Sequence, residues 1–185
     1  MCWSIHIPKK NTLEGGKTNR GGVKMDFIVE NALNNAPEQD FESMNQANIK
    51  VIGVGGAGNN MVGWLYKKGI KGAEIIATNT DHQHLGITGA DRKFLIGKDC
   101  TRGLGCGGFP SRGAEAAQES LIEVKETLKS SDMVFVCAGM GGGTGTGASP
   151  VVAQVAKDTG SIVIGTVTMP FNIERARCDK AEFGL

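Results

Sequence analysis

Short apolar runs alternate with longer amphipathic stretches from residue 49 onward. Runs such as Val-Ile-Gly-Val and Ile-Val-Ile-Gly-Thr-Val are apolar at consecutive positions, which is typical of parallel strands buried on both faces. Strands are predicted over residues 49–54, 74–78, 93–96, 133–138 and 161–168, and helices over residues 61–68, 112–129 and 149–159. This alternation predicts an α/β fold with a doubly wound, mainly parallel sheet.

Apolar spacing and capping residues give further evidence for the predicted helices. Apolar residues recur at spacings of three and four over residues 112–129, which predicts a helix with one apolar face. For the third helix, Ser149 is the predicted cap, Pro150 the first helical residue and Gly160 the stop. Residues 173–185 resemble a helix interrupted part-way, so we expect a truncated domain.

The first 48 residues lack the alternation. Residues 1–24 carry five lysines and arginines against Glu14, a net charge of +4, and predict a disordered basic lead. Residues 25–48 predict a short amphipathic helix and a linker. Residues 49–185 form the predicted domain, incomplete at its C-terminal end.

Composition excludes several classes of protein. The 28 glycines are about twice the usual share of roughly 7%, and they concentrate in three loops. With a net charge of +1 and one tyrosine, the chain offers neither a basic stripe nor a stacking surface for nucleic acid. The five cysteines have no zinc spacing, which indicates a reducing cytoplasm. No apolar run approaches the ~18–20 residues that span a bilayer, so we expect no direct membrane insertion.

Two glycine-rich loops lie where a predicted strand leads into a helix. They cover residues 53–60 and 141–147. Glycine permits positive φ and lets an anion approach the main chain. The free amides and the dipole of a helix start then attract that anion. Two such loops on one sheet predict a nucleotide with a long phosphate tail, bound at the carboxyl ends of the strands.

Other nucleotide-binding classes fit less well. Gly53-x-Gly55-x-x-Gly58 matches the dinucleotide fingerprint, so an NAD-binding Rossmann oxidoreductase is an alternative. That alternative leaves the second loop unexplained, and no catalytic His or Tyr–Lys pair is evident. A P-loop is excluded, because Gly-Lys at 16–17 lacks the leading glycine and a strand, and Gly-Lys at 97–98 lacks the following Ser or Thr.

A histidine pair invites a metal interpretation. His82 and His84 would share one face of a strand. Without a suitable third ligand nearby, a polar helix or loop surface explains the pair better, so no metal site is predicted.

The second loop reads Gly-Gly-Gly-Thr-Gly-Thr-Gly, which is the signature of FtsZ, the prokaryotic homologue of tubulin, letter for letter. The chain resembles that family over residues 49–174, and the stretch Glu174-Arg175-Ala176-Arg177 favours an archaeal type. Further matching motifs are residues 55–60 (Gly-Gly-Ala-Gly-Asn-Asn), 79–81 (Asn-Thr-Asp), 101–105 (Thr-Arg-Gly-Leu-Gly), 132–135 (Asp-Met-Val-Phe) and 170–171 (Pro-Phe).

The resemblance implies a site for GTP or GDP, with Mg²⁺ bound through the phosphates. In the family, the two loops wrap the phosphates, residues 101–110 sense the γ-phosphate, and Glu174 contacts the ribose. Asn79 and Asp81 are expected to organise the phosphate and Mg²⁺ region. The implied nucleotide-binding residues are Gly55, Gly56, Ala57, Gly58, Asn59, Asn60, Asn79, Asp81, Gly105, Cys106, Gly107, Gly142, Gly143, Thr144, Gly145, Thr146, Glu174 and Arg177.

Some positions depart from the family pattern. Phe109 replaces a polar residue and Cys106 a common alanine. Arg175 stands at a usual glycine, and Cys178 at the usual nucleotide-contacting arginine, so Arg177 or Arg175 is the candidate replacement. Glu174 has a second interpretation as a solvated first-turn glutamate favoured by the helix dipole.

The resemblance also implies function. We expect a GTP-hydrolysing cytoskeletal protein that polymerises head to tail at the cytoplasmic division site, with membrane-anchor proteins as further partners. The family's catalytic acidic loop follows a helix beyond residue 185, so we expect no catalytic residue in this chain and no activity from it alone. A non-hydrolysing scaffold of the same superfamily is an alternative. A sheet face without its helix predicts exposed apolar surface.

Overall fold

The computed structural model describes residues 47–182 and residue 184. The basic lead, short helix and linker predicted for the first 48 residues lie outside the described residues, except for the last two positions. Within the described part of the chain, no helix combines the length and apolar character needed to cross a membrane.

The sheet has five strands, all parallel, in the order β3-β2-β1-β4-β5. The strands are β1 (Ile49–Val54), β2 (Ala73–Asn79), β3 (Arg92–Leu95), β4 (Met133–Gly139) and β5 (Ile162–Thr168). The chain runs outward from the central β1 to one edge and then returns to build the other half. The predicted doubly wound α/β class is confirmed, and the crevice that such a sheet offers to a ligand lies between β1 and β4.

The helices lie between the strands. They are α1 (Gly55–Lys68), α2 (His82–Ile87), α3 (Lys98–Thr101), α4 (Pro110–Glu119), α5 (Leu121–Leu128), α6 (Thr144–Asp158) and α7 (Ala176–Glu182), with a 3-10 turn at Asn172–Glu174. Arg175, at φ 34°, separates that turn from α7. The helical stretch predicted over residues 173–185 is therefore divided, in its described part, between the 3-10 turn and α7.

Two apolar clusters cover the two faces of the sheet. Ile52 and Val54 of β1 belong to one cluster with Val152 of α6, whereas Val51 belongs to the other with Val62 of α1. Successive residues of β1 thus enter opposite cores, as the uninterrupted apolar run predicts. Each fully buried large aliphatic side chain contributes roughly 1.5–3 kcal/mol.

The outer strand β5 is much less covered. Ile162, Ile164 and Val167 are exposed. This agrees with the exposed apolar surface expected from the sequence.

Three helix boundaries were predicted wrongly. Residues 112–129 form two helices, because the backbone departs from helical geometry at Ser120 (φ −101°, ψ 20°), whose hydroxyl accepts a hydrogen bond from the Gly97 amide at 3.0 Å. Helix α6 begins at Thr144, which places Pro150 inside it. Helix α1 likewise begins at Gly55. In both glycine loops the loop is itself the first helical turn, which residue propensity did not indicate.

The difference in burial between two side chains of α5 predicts different effects on the free energy of unfolding. Leu128 is fully buried at the end of α5, whereas Ile122 on the same helix is 79% exposed. Leu128→Ala should lower the free energy of unfolding by about 2–5 kcal/mol, because it removes buried methyl groups and leaves a cavity. Ile122→Ala should change it by no more than about 0.5 kcal/mol. Urea denaturation followed by circular dichroism measures both, and equal losses would contradict the burial described here.

Candidate functional site

A cavity of about 600 Å³ opens at the carboxyl ends of β1, β4 and β5. Both glycine loops line it, together with residues 168–170 after β5 and side chains from the last turn and helix. The predicted site residues that line it are Gly56, Ala57, Gly142, Gly143, Thr144, Gly145, Glu174 and Arg177. The fold thus brings together positions as far apart in sequence as Gly56 and Arg177.

The first loop presents a free helix start. Helix α1 has Val54 at its N-cap, without a capping side chain, and its first turn contains no acidic residue. Gly55 has φ 74°, and a Cβ there would lie 2.8 Å from the Gly145 amide nitrogen. Only glycine allows this contact between the two loops. The first-turn amides are therefore left for an anion.

The second loop repeats the arrangement. Helix α6 starts at Thr144 with Gly143 at the N-cap, again without a capping side chain or an acidic first turn. The loop is braced internally, because the Gly141 amide donates to Thr146 Oγ1 at 2.9 Å. Two helix dipoles therefore point their positive ends at the same cavity, and each attracts negative charge.

Basic side chains add to this field. Arg177 and Lys180 of α7 both line the cavity. Lys180 Nζ donates to the Gly108 carbonyl at 3.0 Å and lies 5.8 Å from the centroid of the Phe109 ring. Phe109, a departure from the family pattern, thus packs under a lysine that the sequence analysis missed. No local signal identifies Lys180, since its role depends on a loop 72 residues earlier.

Glu174 supplies the carboxylate of the cavity. One oxygen accepts from the Phe171 amide at 3.1 Å, and the other pairs with Arg177 Nη1 at 2.9 Å. The side chain therefore caps the turn and also lines the cavity. Of the candidate arginines, Arg177 lines the cavity and Arg175 does not.

Several predicted residues lie behind the cavity wall. Asn59 is fully buried, and in the amide orientation that its neighbours require it donates to the Gly53 and Thr78 carbonyls at 3.0 and 3.2 Å. Asp81 caps α2, because its Oδ1 accepts from the Gln83 and His84 amides at 2.9 and 3.1 Å. The others outside the lining are Gly55, Gly58, Asn60, Asn79, Gly105, Cys106, Gly107 and Thr146.

Metal chemistry has little support from side chains. His82 and His84 lie on the short helix α2, not on a strand. In the described part of the chain, no group of three or more His, Cys, Asp or Glu side chains could hold a metal ion.

The thiols of Cys100 and Cys137 are poor nucleophiles. Burial and the adjacent Glu119 carboxylate raise the pKa of Cys100 to about 11. Burial also raises the pKa of Cys137. Since the thiolate is the reactive form, neither residue suits covalent catalysis near neutral pH.

Comparison with known proteins agrees with this geometry. Residues 48–185 match the Tubulin/FtsZ family, GTPase domain. The chain is 52% identical to cell division protein FtsZ 2 of Methanocaldococcus jannaschii, over 85% of this chain and 42% of that protein. It is 50% identical to cell division protein FtsZ 2 of Halobacterium salinarum strain R1, over 87% and 43%. The chain belongs to the Tubulin/FtsZ family, and these relatives are archaeal.

Solved structures of FtsZ and CetZ2 are similar in fold to this chain. An empty FtsZ dimer of M. jannaschii superposes with a TM-score of 0.75 at 45% identity, covering 88% of this chain and 45% of that one. A GTPγS-bound protofilament of CetZ2 from Haloferax volcanii gives a TM-score of 0.56 at 29% identity, covering 64% and 39%. The chain spans less than half the length of these relatives.

The raised pKa of Cys100 makes a pH prediction. Alkylation of Cys100 should be slow at pH 7 and accelerate about tenfold per pH unit up to about pH 10, because only the thiolate reacts. Glu119→Gln should speed the reaction at fixed pH, because the nearby negative charge is removed. Peptide mapping by mass spectrometry after timed labelling with iodoacetamide measures both effects. A rate that levels off below pH 9 would contradict the high pKa.

Proposed function

We propose that this chain supplies the phosphate-binding and ribose-binding part of a GTP site, in a protein that hydrolyses GTP and polymerises during cell division. The observation that carries the proposal is the pair of uncapped helix starts, at Gly55 and Thr144, directed at one cavity. A single helix start suits one phosphate group. Two helix starts together with Arg177 and Lys180 suit a chain of phosphates.

The roles follow from the lining of the cavity. Amides of the first turns of α1 and α6 would bind phosphate oxygens, and the Thr144 hydroxyl would add a donor. Glu174 would accept from ribose hydroxyls, held in place by Arg177. The phosphate contacts use mainly backbone groups, so their position is fixed by the fold.

Mg²⁺ fits this site as a companion of the nucleotide. This ion binds through phosphates and one or two carboxylates, and does not need a cage of protein ligands. The absence of a metal-ligating cluster among the described residues is compatible with that mode. Asp81, two residues after β2 and at the N-cap of α2, would be the carboxylate toward the ion. Bound Mg²⁺ neutralises phosphate charge during phosphoryl transfer.

Hydrolysis in such a site depends on positioning. Phosphoryl transfer asks little covalent chemistry of a protein, provided that the phosphates and the attacking water are held in line. This chain holds the phosphates. The groups that align water would come from the remainder of the longer protein that the relatives represent, and from a neighbouring subunit.

Polymerisation is proposed from the same comparisons. One similar structure is a dimer and another is a protofilament. A head-to-tail contact that does not close on itself generates a filament by geometry. We place the protein in the cytoplasm at the division site, with membrane-anchor proteins as additional partners, because its relatives are named cell division proteins.

Neither alternative has a specific observation in its favour. A Rossmann oxidoreductase would use the first helix start and leave the second without a role. A non-hydrolysing scaffold would share this nucleotide site, so GTP turnover by the longer protein is the property that distinguishes it.

Nucleotide binding tests the proposal directly. A Cβ at Gly142 would meet nothing within 4 Å, and Gly142 lines the cavity. Gly142→Asp should therefore leave the fold intact and weaken GTP binding at least about tenfold, because its carboxylate repels phosphates. The matched control is Gly165→Asp on β5, which also has open space and lies outside the lining. It should bind GTP like the unaltered chain.

Titration with a fluorescent GTP analogue gives the affinities. GDP should displace the analogue and NADH should not. Displacement by NADH alone would favour the oxidoreductase. Equal binding by Gly142→Asp and the unaltered chain would place the nucleotide elsewhere.

A further inference from the structure

Three buried side chains from three different loops meet behind the cavity wall. Thr80 Oγ1 lies 2.7 Å from Thr144 Oγ1. Cys106 Sγ lies 3.4 Å from Thr80 Oγ1 and 3.5 Å from Thr144 Oγ1. Thr80, Cys106 and Thr144 are 0%, 3% and 9% exposed. We call this arrangement the Thr80 cluster. It joins the end of β2, the loop before α4 and the start of α6.

The main chain of Thr80 is held on both sides. Its amide donates to Asn79 Oδ1 at 2.9 Å. Its carbonyl accepts from the Gly105 amide at 3.1 Å and from Thr101 Oγ1 at 3.3 Å. The hydroxyl of Thr80 therefore projects from a fixed backbone toward Thr144.

The three polar groups of the Thr80 cluster can form a closed ring of hydrogen bonds. Two hydroxyls and one thiol each carry one hydrogen and can each accept one. A closed ring satisfies all three: Cys106 Sγ–H donates to Thr80, Thr80 to Thr144, and Thr144 to Cys106. In this direction the Thr144 hydrogen goes to sulfur, which is the weakest acceptor of the three.

Thr144 differs from the other two members, because it lines the cavity and Thr80 and Cys106 do not. Its hydrogen can turn from the sulfur to a phosphate oxygen, while its oxygen keeps the hydrogen bond from Thr80. This exchange is favourable, because hydrogen bonds to charged acceptors are stronger than those to neutral sulfur.

We propose that Thr80 is a positioning residue for phosphate binding. By donating to Thr144 Oγ1, it directs the Thr144 hydrogen toward the phosphate. Without that donation, the Thr144 hydroxyl can rotate, and its hydrogen is no longer held toward the phosphate. This inference rests on the proposed GTP site, and adds to it a residue that never touches the nucleotide.

The substitution Thr80→Val removes the hydroxyl with little change of side-chain shape, and so tests whether the hydroxyl contributes to nucleotide binding. Thr80→Val should weaken both GTP and GDP binding about tenfold, the amount expected for one misdirected hydrogen bond to a charged group. Thr80→Ser should restore most of the affinity, because it restores the donor. Titration of the 185-residue chain with fluorescent GTP and GDP analogues gives these values.

Thr78, the residue before Asn79 on β2, provides a matched control. It is also fully buried, and its hydroxyl has no hydrogen-bond partner among the described residues. Thr78→Val makes the same chemical change two residues away and should leave nucleotide affinity unchanged. Thermal unfolding of each variant checks that the fold is retained.

A double-mutant cycle separates positioning from general bracing of the loops. If Thr80 acts through the Thr144 hydroxyl, Thr80→Val should cost no further affinity in a Thr144→Val background. The same loss in both backgrounds would overturn the proposal, because Thr80 would then act on the loops as a whole. Full affinity of Thr80→Val for GTP would also overturn it.

The proposal of a GTP site can be disproved independently of the proposed role of Thr80. If the unaltered chain binds neither GTP nor GDP, the proposed function fails and this inference fails with it. If the unaltered chain binds and Gly142→Asp does not, the site stands, and the Thr80 variants alone decide the inference.

Discussion

The parallel pairing of β1 with β4 is the constraint on which the site depends. These strands lie side by side in register, with Val54 opposite Ala138. Because both run in the same direction, the loops that follow them emerge at one edge of the sheet. Each loop then turns directly into a helix, α1 or α6, whose positive end faces the same space. A slip in this pairing would separate the two helix starts and remove the cavity, although each loop would keep its sequence.

Glycine is required here for packing more than for turning. A Cβ at Gly145 would lie 2.5 Å from the Gly139 carbonyl oxygen, and one at Gly143 would lie 2.8 Å from Cys106 Cβ. Neither residue has a positive φ. The glycines let α6 approach β4 and the loop before α4 closely enough for Thr80, Cys106 and Thr144 to meet.

Sequence reasoning predicts those parts of the structure that depend on neighbouring residues. Apolar runs locate all five strands, and the spacing of glycines locates both loops that line the cavity. Prediction from sequence fails where contacts between residues far apart in the chain determine the structure. Local propensity predicts that α6 starts at Pro150. In the structure the helix starts at Thr144, where the glycine loop packs against β4 and α4. Lys180 and Thr80 were missed for the same reason, since their partners are 72 and 64 residues away.

The two halves of the cavity differ in how they hold their groups. The half proposed to hold phosphates consists mainly of main-chain amides on helices packed into the core, so a substitution that neither adds charge nor removes a hydroxyl affects it only by disturbing the backbone. The other half consists of side chains on a short turn and α7, where Glu174 and Arg177 form an exposed ion pair. Exposed pairs contribute little to stability, so these positions can change while the fold persists. Three of the four departures from the family pattern, Phe109, Arg175 and Cys178, fall in or beside this second half. The fourth, Cys106, lies behind the glycine loop at Thr144. Sequence variation is therefore expected to alter mainly the half of the cavity that side chains form.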